Sequence, residues 1–152
     1  MTKQADYGIV LMTCLADAPD QRVAARALSQ RTQIPLPTVS KILKMLVHAD
    51  LLISHRGVKG GYMLARPPAE ITVVDMIEAL DGPIAFTECI EDAPGTCSQE
   101  ASCRLRANWQ RINSAVRGAM EAISLAELTS PLTNTPTLVQ IGDGRYANAG
   151  TH

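Results

Sequence analysis

The stretch Arg56-Gly57-Val58-Lys59-Gly60-Gly61 constrains the fold more than any other part of the chain. Three glycines and two cations stand in six residues, between Leu51-Leu52-Ile53-Ser54 and Tyr62-Met63-Leu64, two short runs that read as strands. A glycine-rich link between such runs closes a hairpin, because glycine reaches backbone conformations that side chains forbid. At the tip, the missing side chains let the backbone lie close to a phosphate or enter a minor groove, with Arg56 or Lys59 supplying charge. The stretch is not a phosphate-binding loop of the nucleotide-hydrolase kind, since it lacks both the Lys-Ser/Thr ending and the strand-to-helix context.

Helices are predicted ahead of the hairpin. Tyr7, Val10, Leu11, Cys14 and Leu15 recur at helical spacing from Lys3 to Asp17, and Ala18-Pro19-Asp20 ends the run. A second helix, about 23–31, is separated by Thr32-Gln33-Ile34-Pro35 from a third, about 37–49. In the third, Val39, Ile42, Leu43, Leu46 and Val47 form an inward stripe, and Thr38, Ser40, Lys41, Lys44 and His48 lie off it. A short helix, a tight turn and a longer helix with small polar and basic residues near its start is the arrangement that enters a DNA major groove. Many helical hairpins share it, but a hairpin directly behind it points to a winged helix-turn-helix. The fold class expected is therefore mostly α with a small β-hairpin wing. Base contacts are expected from Thr38, Ser40 and Lys41, phosphate contacts from Lys3 and Lys44, and wing contacts from Arg56 and Lys59.

Charge follows the same division. Residues 1–66 hold nine Lys and Arg against four acids, whereas residues 67–152 hold five against eleven, although the whole chain carries only −1. The basic half suits a phosphate backbone, and the acidic half would be repelled from it. One Trp and one Phe leave the core to aliphatic side chains. The apolar run Ile9–Leu15 is too short to span a membrane and lacks a following cleavage site, so a cytoplasmic protein is expected. No nucleophile and base stand at useful spacing, and His48, His55 and His152 fall on a helix surface, a strand and the tail, so an enzyme is not expected.

Beyond Arg66-Pro67-Pro68, Thr72 with Asp75 three residues on predicts a capping box opening a helix over 73–80, stopped by Asp81-Gly82-Pro83. A long helix is predicted over 104–123, where Leu105, Trp109, Ile112, Val116, Ala119 and Ile123 form one apolar seam. Such a seam most simply packs on a partner subunit, with docking on its own domain as the competing explanation. A homodimer would read a two-fold-related double-stranded operator. The division expected is a winged helix-turn-helix domain over 1–82, a cysteine loop over 83–103, a dimerisation helix with a short C-terminal helix over 104–129, and a flexible tail over 130–152.

Cys89, Cys97 and Cys103 stand in a polar stretch that also holds Pro94 and Gly95. No Cys-x-x-Cys pair is present, which argues against a zinc ribbon, a thioredoxin-like redox pair and ferredoxin spacing alike. Irregularly spaced thiolates in a loop can wrap an iron-sulfur cluster and leave one iron for another ligand; a redox-active thiol set is the alternative. Cys14, on the face of the first helix, reads as a small buried apolar side chain.

Several of these segments together resemble the IscR and NsrR family of dimeric winged-helix transcription regulators that bind iron-sulfur clusters. They are Asp6-Tyr7-Gly8, Pro37-Thr38-Val39-Ser40-Lys41, Arg56-Gly57-x-x-Gly60-Gly61-Tyr62-x-Leu64, the three cysteines and Ser124-Leu125-Ala126-Glu127-Leu128. The resemblance runs to about residue 129. Thr87-Glu88-Cys89 and Arg106-Ala107-Asn108-Trp109 are most similar to the branch that regulates Suf iron-sulfur assembly genes. The resemblance implies that Cys89, Cys97 and Cys103 are ligands of a 2Fe-2S or 4Fe-4S cluster. Where IscR places a ligating histidine this chain has Arg106, whose guanidinium cannot ligate iron. Asp6 falls where NsrR uses an aspartate from the other subunit, and it is the fourth ligand expected here; a helix-dipole charge is its competing role, and Glu88, water or a thiol are other ligands. The function implied is a cluster-sensing repressor of assembly genes, or alternatively a repressor sensing nitric oxide or redox state through the cluster or its cysteines.

Overall fold

The computed structural model describes residues 2–84 and 106–131. The three cysteines at 89, 97 and 103, Leu105 of the seam and the tail from 132 lie outside the described residues. In order come α1 (Lys3–Ala16), α2 (Ala25–Thr32), α3 (Leu36–His48), β1 (Leu52–His55), β2 (Gly61–Leu64), a 3-10 turn at Pro68–Glu70, α4 (Val73–Asp81), α5 (Arg106–Glu121) and α6 (Leu125–Thr129). Among the described residues, no helix is long and apolar enough to cross a membrane.

Local chemistry sets the helix starts. The Thr2 hydroxyl accepts from the Ala5 N–H at 3.3 Å and caps α1. Thr72 and Asp75 form the expected capping box of α4, and Ser124 with Glu127 forms another for α6. Helix α1 buries the Leu11 and Leu15 of its expected face, with Tyr7 and Cys14 packed against the core, but is rotated so that Val10 leaves it. Ala5, Gly8, Leu11, Met12 and Leu15 are buried, while Val10 is 43% exposed. The cause is a close crossing: a Cβ on Gly8 would lie 2.0 Å from Leu80 Cδ1 of α4. Small residues mark that contact, and large-residue periodicity does not see them.

The hairpin is antiparallel, pairing Leu52 with Leu64, Ile53 with Met63, Ser54 with Tyr62 and His55 with Gly61. Val23, expected to open α2, instead lies extended beside the hairpin. Its N–H donates to the Tyr62 carbonyl and it accepts from the Tyr62 N–H, both at 2.9 Å. One strand edge of the wing is thereby paired with the backbone just ahead of α2.

Leu11 and Leu15 of α1, Leu28 of α2, Ile42 and Leu46 of α3 and Met76 of α4 belong to one core, and each is at most 1% exposed. Leu125 of α6 joins it, fully buried, with its N–H donating to the Ile71 carbonyl at 2.8 Å. Helix α5 touches this body differently. Arg117 forms an ion pair with Glu78 of α4 and lies 3.3 Å from Glu121. Val116 and Ala119 are half-buried, and Trp109, Ile112 and Ile123 remain more than a third exposed.

Candidate nucleic-acid interface

The turn between α2 and α3 fixes how α3 is presented. Gln33 takes a left-handed conformation at φ 60°, the Ser29 hydroxyl donates to the Ile34 carbonyl at 2.6 Å, and buried Ile34 pins the turn to the core. Pro37 stands in the first turn of α3, where no helical hydrogen bond is lost. With Val39, Ile42, Leu43 and Leu46 buried, the opposite face of α3 carries exposed Lys41 and Lys44 and half-buried Thr38 and Ser40.

Two shallow depressions run along that face. The first, of about 410 Å³, brings Lys3, Gln4 and Tyr7 of α1 together with Thr38 and Lys41. Lys3 is exposed, and its Nζ lies 5.5 Å from the centre of the Tyr7 ring. The second, of about 340 Å³, lies between the later half of α3 and the wing, and Lys44, His48, His55 and Arg56 are among its walls. Among the described residues, no acid lines either depression. Lys59 is exposed in the wing turn, and Ser40 lines neither depression. Of the expected contacts, Lys3, Thr38 and Lys41 thus share one depression, and Lys44 and Arg56 the other. Gln4, His48 and His55 are additions to that set. The helical step from Lys44 to His48 was a signal available for one of them; nothing local relates His55 to α3.

Asp6 is exposed in the first turn of α1, near Lys3. Among the described residues, no group of three or more His, Cys, Asp or Glu is arranged to hold a metal ion. Cys14 is half-buried with a free thiol, in keeping with a packing role. The start of α1 is also tied to the end of α4, just ahead of the cysteine segment. The Thr2 N–H donates to the Asp81 carboxylate at 2.8 Å, and the Thr2 hydroxyl donates to its other oxygen. Burial pushes the Asp81 pKa up, but these two hydrogen bonds outweigh it and hold the carboxyl below its ordinary range. The Gln4 amide donates to the Leu80 carbonyl at 3.1 Å and reaches Met45 Sδ of α3 at 3.3 Å.

The sequence matches the family model described as Rrf2, iron-dependent transcriptional regulator, over residues 1–131. It is 30% identical over 129 residues to protein rrf2 of Nitratidesulfovibrio vulgaris, spanning 84% of this chain and 85% of that one. The structure is similar to that of CymR, the global cysteine regulator of B. subtilis, with a TM-score of 0.68 and 28% identity, covering 85% of this chain and 95% of CymR. It is also similar to T. potens IscR, with a TM-score of 0.65 and 25% identity, covering 84% of each chain. The matched family is one of transcriptional regulators rather than enzymes, and the winged-helix architecture is shared with CymR and IscR. A match that takes in both the basic face and the segment with the three cysteines places this chain in the Rrf2 family of transcriptional regulators.

Proposed function

We propose that the protein is a cytoplasmic homodimeric repressor, that α3 and the wing grip a two-fold operator, and that an iron-sulfur cluster sets the strength of that grip. The target genes in this reading are those of Suf-type iron-sulfur assembly, following the resemblance at Thr87-Glu88-Cys89. Cys89, Cys97 and Cys103 would hold the cluster, with Asp6 of the second copy as the remaining ligand. Three thiolates and a carboxylate are a donor set that suits iron. A cluster bound there supplies sensitivity to iron supply, oxidants and nitric oxide.

The observation that carries this reading is the double tether between α1 and α4. Thr2 holds Asp81 and Gln4 holds Leu80 immediately before the cysteine segment, and Gln4 also touches Met45 of α3. Lys3, between them in sequence, lines the α3 depression. A change in how the cysteine segment is held therefore has a short covalent and hydrogen-bonded route to the DNA-facing side. The exposed seam of Trp109, Ile112 and Ile123 supports the dimer.

The likeness to Staphylococcus aureus CymR, which is described in an oxidized form, favours a second reading in which the same cysteines respond directly to nitric oxide or oxidants. Anaerobic purification with iron and sulfide counting separates the two. Coloured protein with matched iron and acid-labile sulfide is expected, and colourless, iron-free protein from iron-replete cells would contradict the cluster reading.

A further inference from the structure

The depression between α3 and the wing holds more potential positive charge than its lysine and arginine account for. Lys44 and His48 stand four residues apart on α3, on one face, and look across at His55 and Arg56 where β1 gives way to the wing turn. Among the described residues, Tyr62 is the one other titratable side chain in its walls, and no carboxylate lines it from either element. The His55 Nε2 is buried and, among the described residues, has no hydrogen-bond partner. Buried polar atoms are ordinarily paired, and two imidazoles beside two fixed cations have no internal counter-ion when protonated. Such a site calls for an anion once its imidazoles are charged.

We propose that this depression seats a DNA backbone phosphate, with His48 and His55 joining Lys44 and Arg56 as proton-dependent contacts, so that DNA binding takes up protons. The proposal rests on the reading that α3 and the wing face DNA. A phosphate offers acceptors to charge-assisted donors, and Lys44 and Arg56 provide the constant part of the attraction. Imidazole is the side chain that changes charge near neutrality, so the histidines provide the variable part. The sign follows from linkage: a bound phosphate favours the charged imidazoles, so affinity climbs as pH falls through the imidazole range.

The test uses the full chain, a duplex it selects from a random-sequence pool, and fluorescence anisotropy at about pH 8 and about pH 6 at fixed ionic strength. The parent protein is expected to bind about tenfold tighter at the lower pH, and the His48→Gln/His55→Gln protein to show a nearly flat profile. At the lower pH the salt dependence of log K is expected to be steeper for the parent by about 1 to 2 units of slope, one per added phosphate contact. His48 is exposed at the end of α3, so His48→Gln alone tests the idea should replacement of His55 disturb folding; it is expected to remove about half of the pH response on a logarithmic scale. A double variant that keeps the parent's pH response overturns the proposal, as does one weakened equally at both pH values. Lys44→Ala keeps the two readings apart. If it leaves affinity and salt slope unchanged, the placement of the DNA face fails. If it weakens binding while the histidine variants track the parent, only the histidine proposal falls.

Discussion

Gly61 shows how a single position can be fixed by a distant one. Its φ is +150°, and an added Cβ would lie 2.8 Å from the Val23 carbonyl oxygen, which is backbone and has little room to give. Gly57, at φ +104°, has open space around it and is constrained by conformation alone. Gly61→Ala is therefore expected to cost about 2 kcal/mol or more and Gly57→Ala about 1 kcal/mol, read as shifts of the denaturation midpoint. Equal costs would contradict the steric account. The glycines are legible in the sequence as a turn signal, because turn chemistry is local. The reason for Gly61 is not, because Val23 lies in a segment that helical spacing assigns to α2. His48 and His55 were each legible as surface or strand residues, and only the fold brings them to one depression.

Among the elements, helix starts with side-chain caps and short strands beside a glycine-rich turn were legible for the same reason. Leu11 and Leu15 of α1 were legible as inward, but Gly8 was not, since it marks the crossing with α4 by being small. Nor were the ties from α1 to α4, because hydrogen bonds between residues far apart in sequence leave no periodic trace. The Asp81 carboxyl is held below its ordinary range by Thr2, so the charged form is favoured in the folded state. A depressed carboxylate pKa contributes stability that is full above the unfolded value, 3.8, and is lost as pH falls through the folded one. Asp81→Asn is accordingly expected to melt below the parent at neutral pH, with the gap closing on acidification below the ordinary carboxylate range. A gap independent of pH would show that Thr2 does not engage the carboxylate. The same variant loosens one of the two tethers ahead of the cysteine segment.

In the whole molecule, α5 packs one side inward and keeps part of its apolar seam exposed. Asn113 is buried and Arg117 pairs with Glu78, whereas Trp109, Ile112 and Ile123 remain exposed on the seam the heptad-like spacing predicts. Ile112→Asp is expected to shift the protein from dimer to monomer in sedimentation, with helix content kept; an unchanged dimer would place the partner contact elsewhere. The seam was legible as a repeat of apolar residues, but which of them stay exposed required the packing of α5 on α4. Cys89, Cys97 and Cys103 lie outside the described residues, so the ligand role proposed for them rests on the chemistry of the donor set and on the family. Operator affinity of anaerobically purified protein, measured before and after chelation of its iron, tests the central claim most directly. On this account the iron-free protein stays dimeric and loses on the order of tenfold in affinity; a dimer that binds its operator equally well in both states would contradict it.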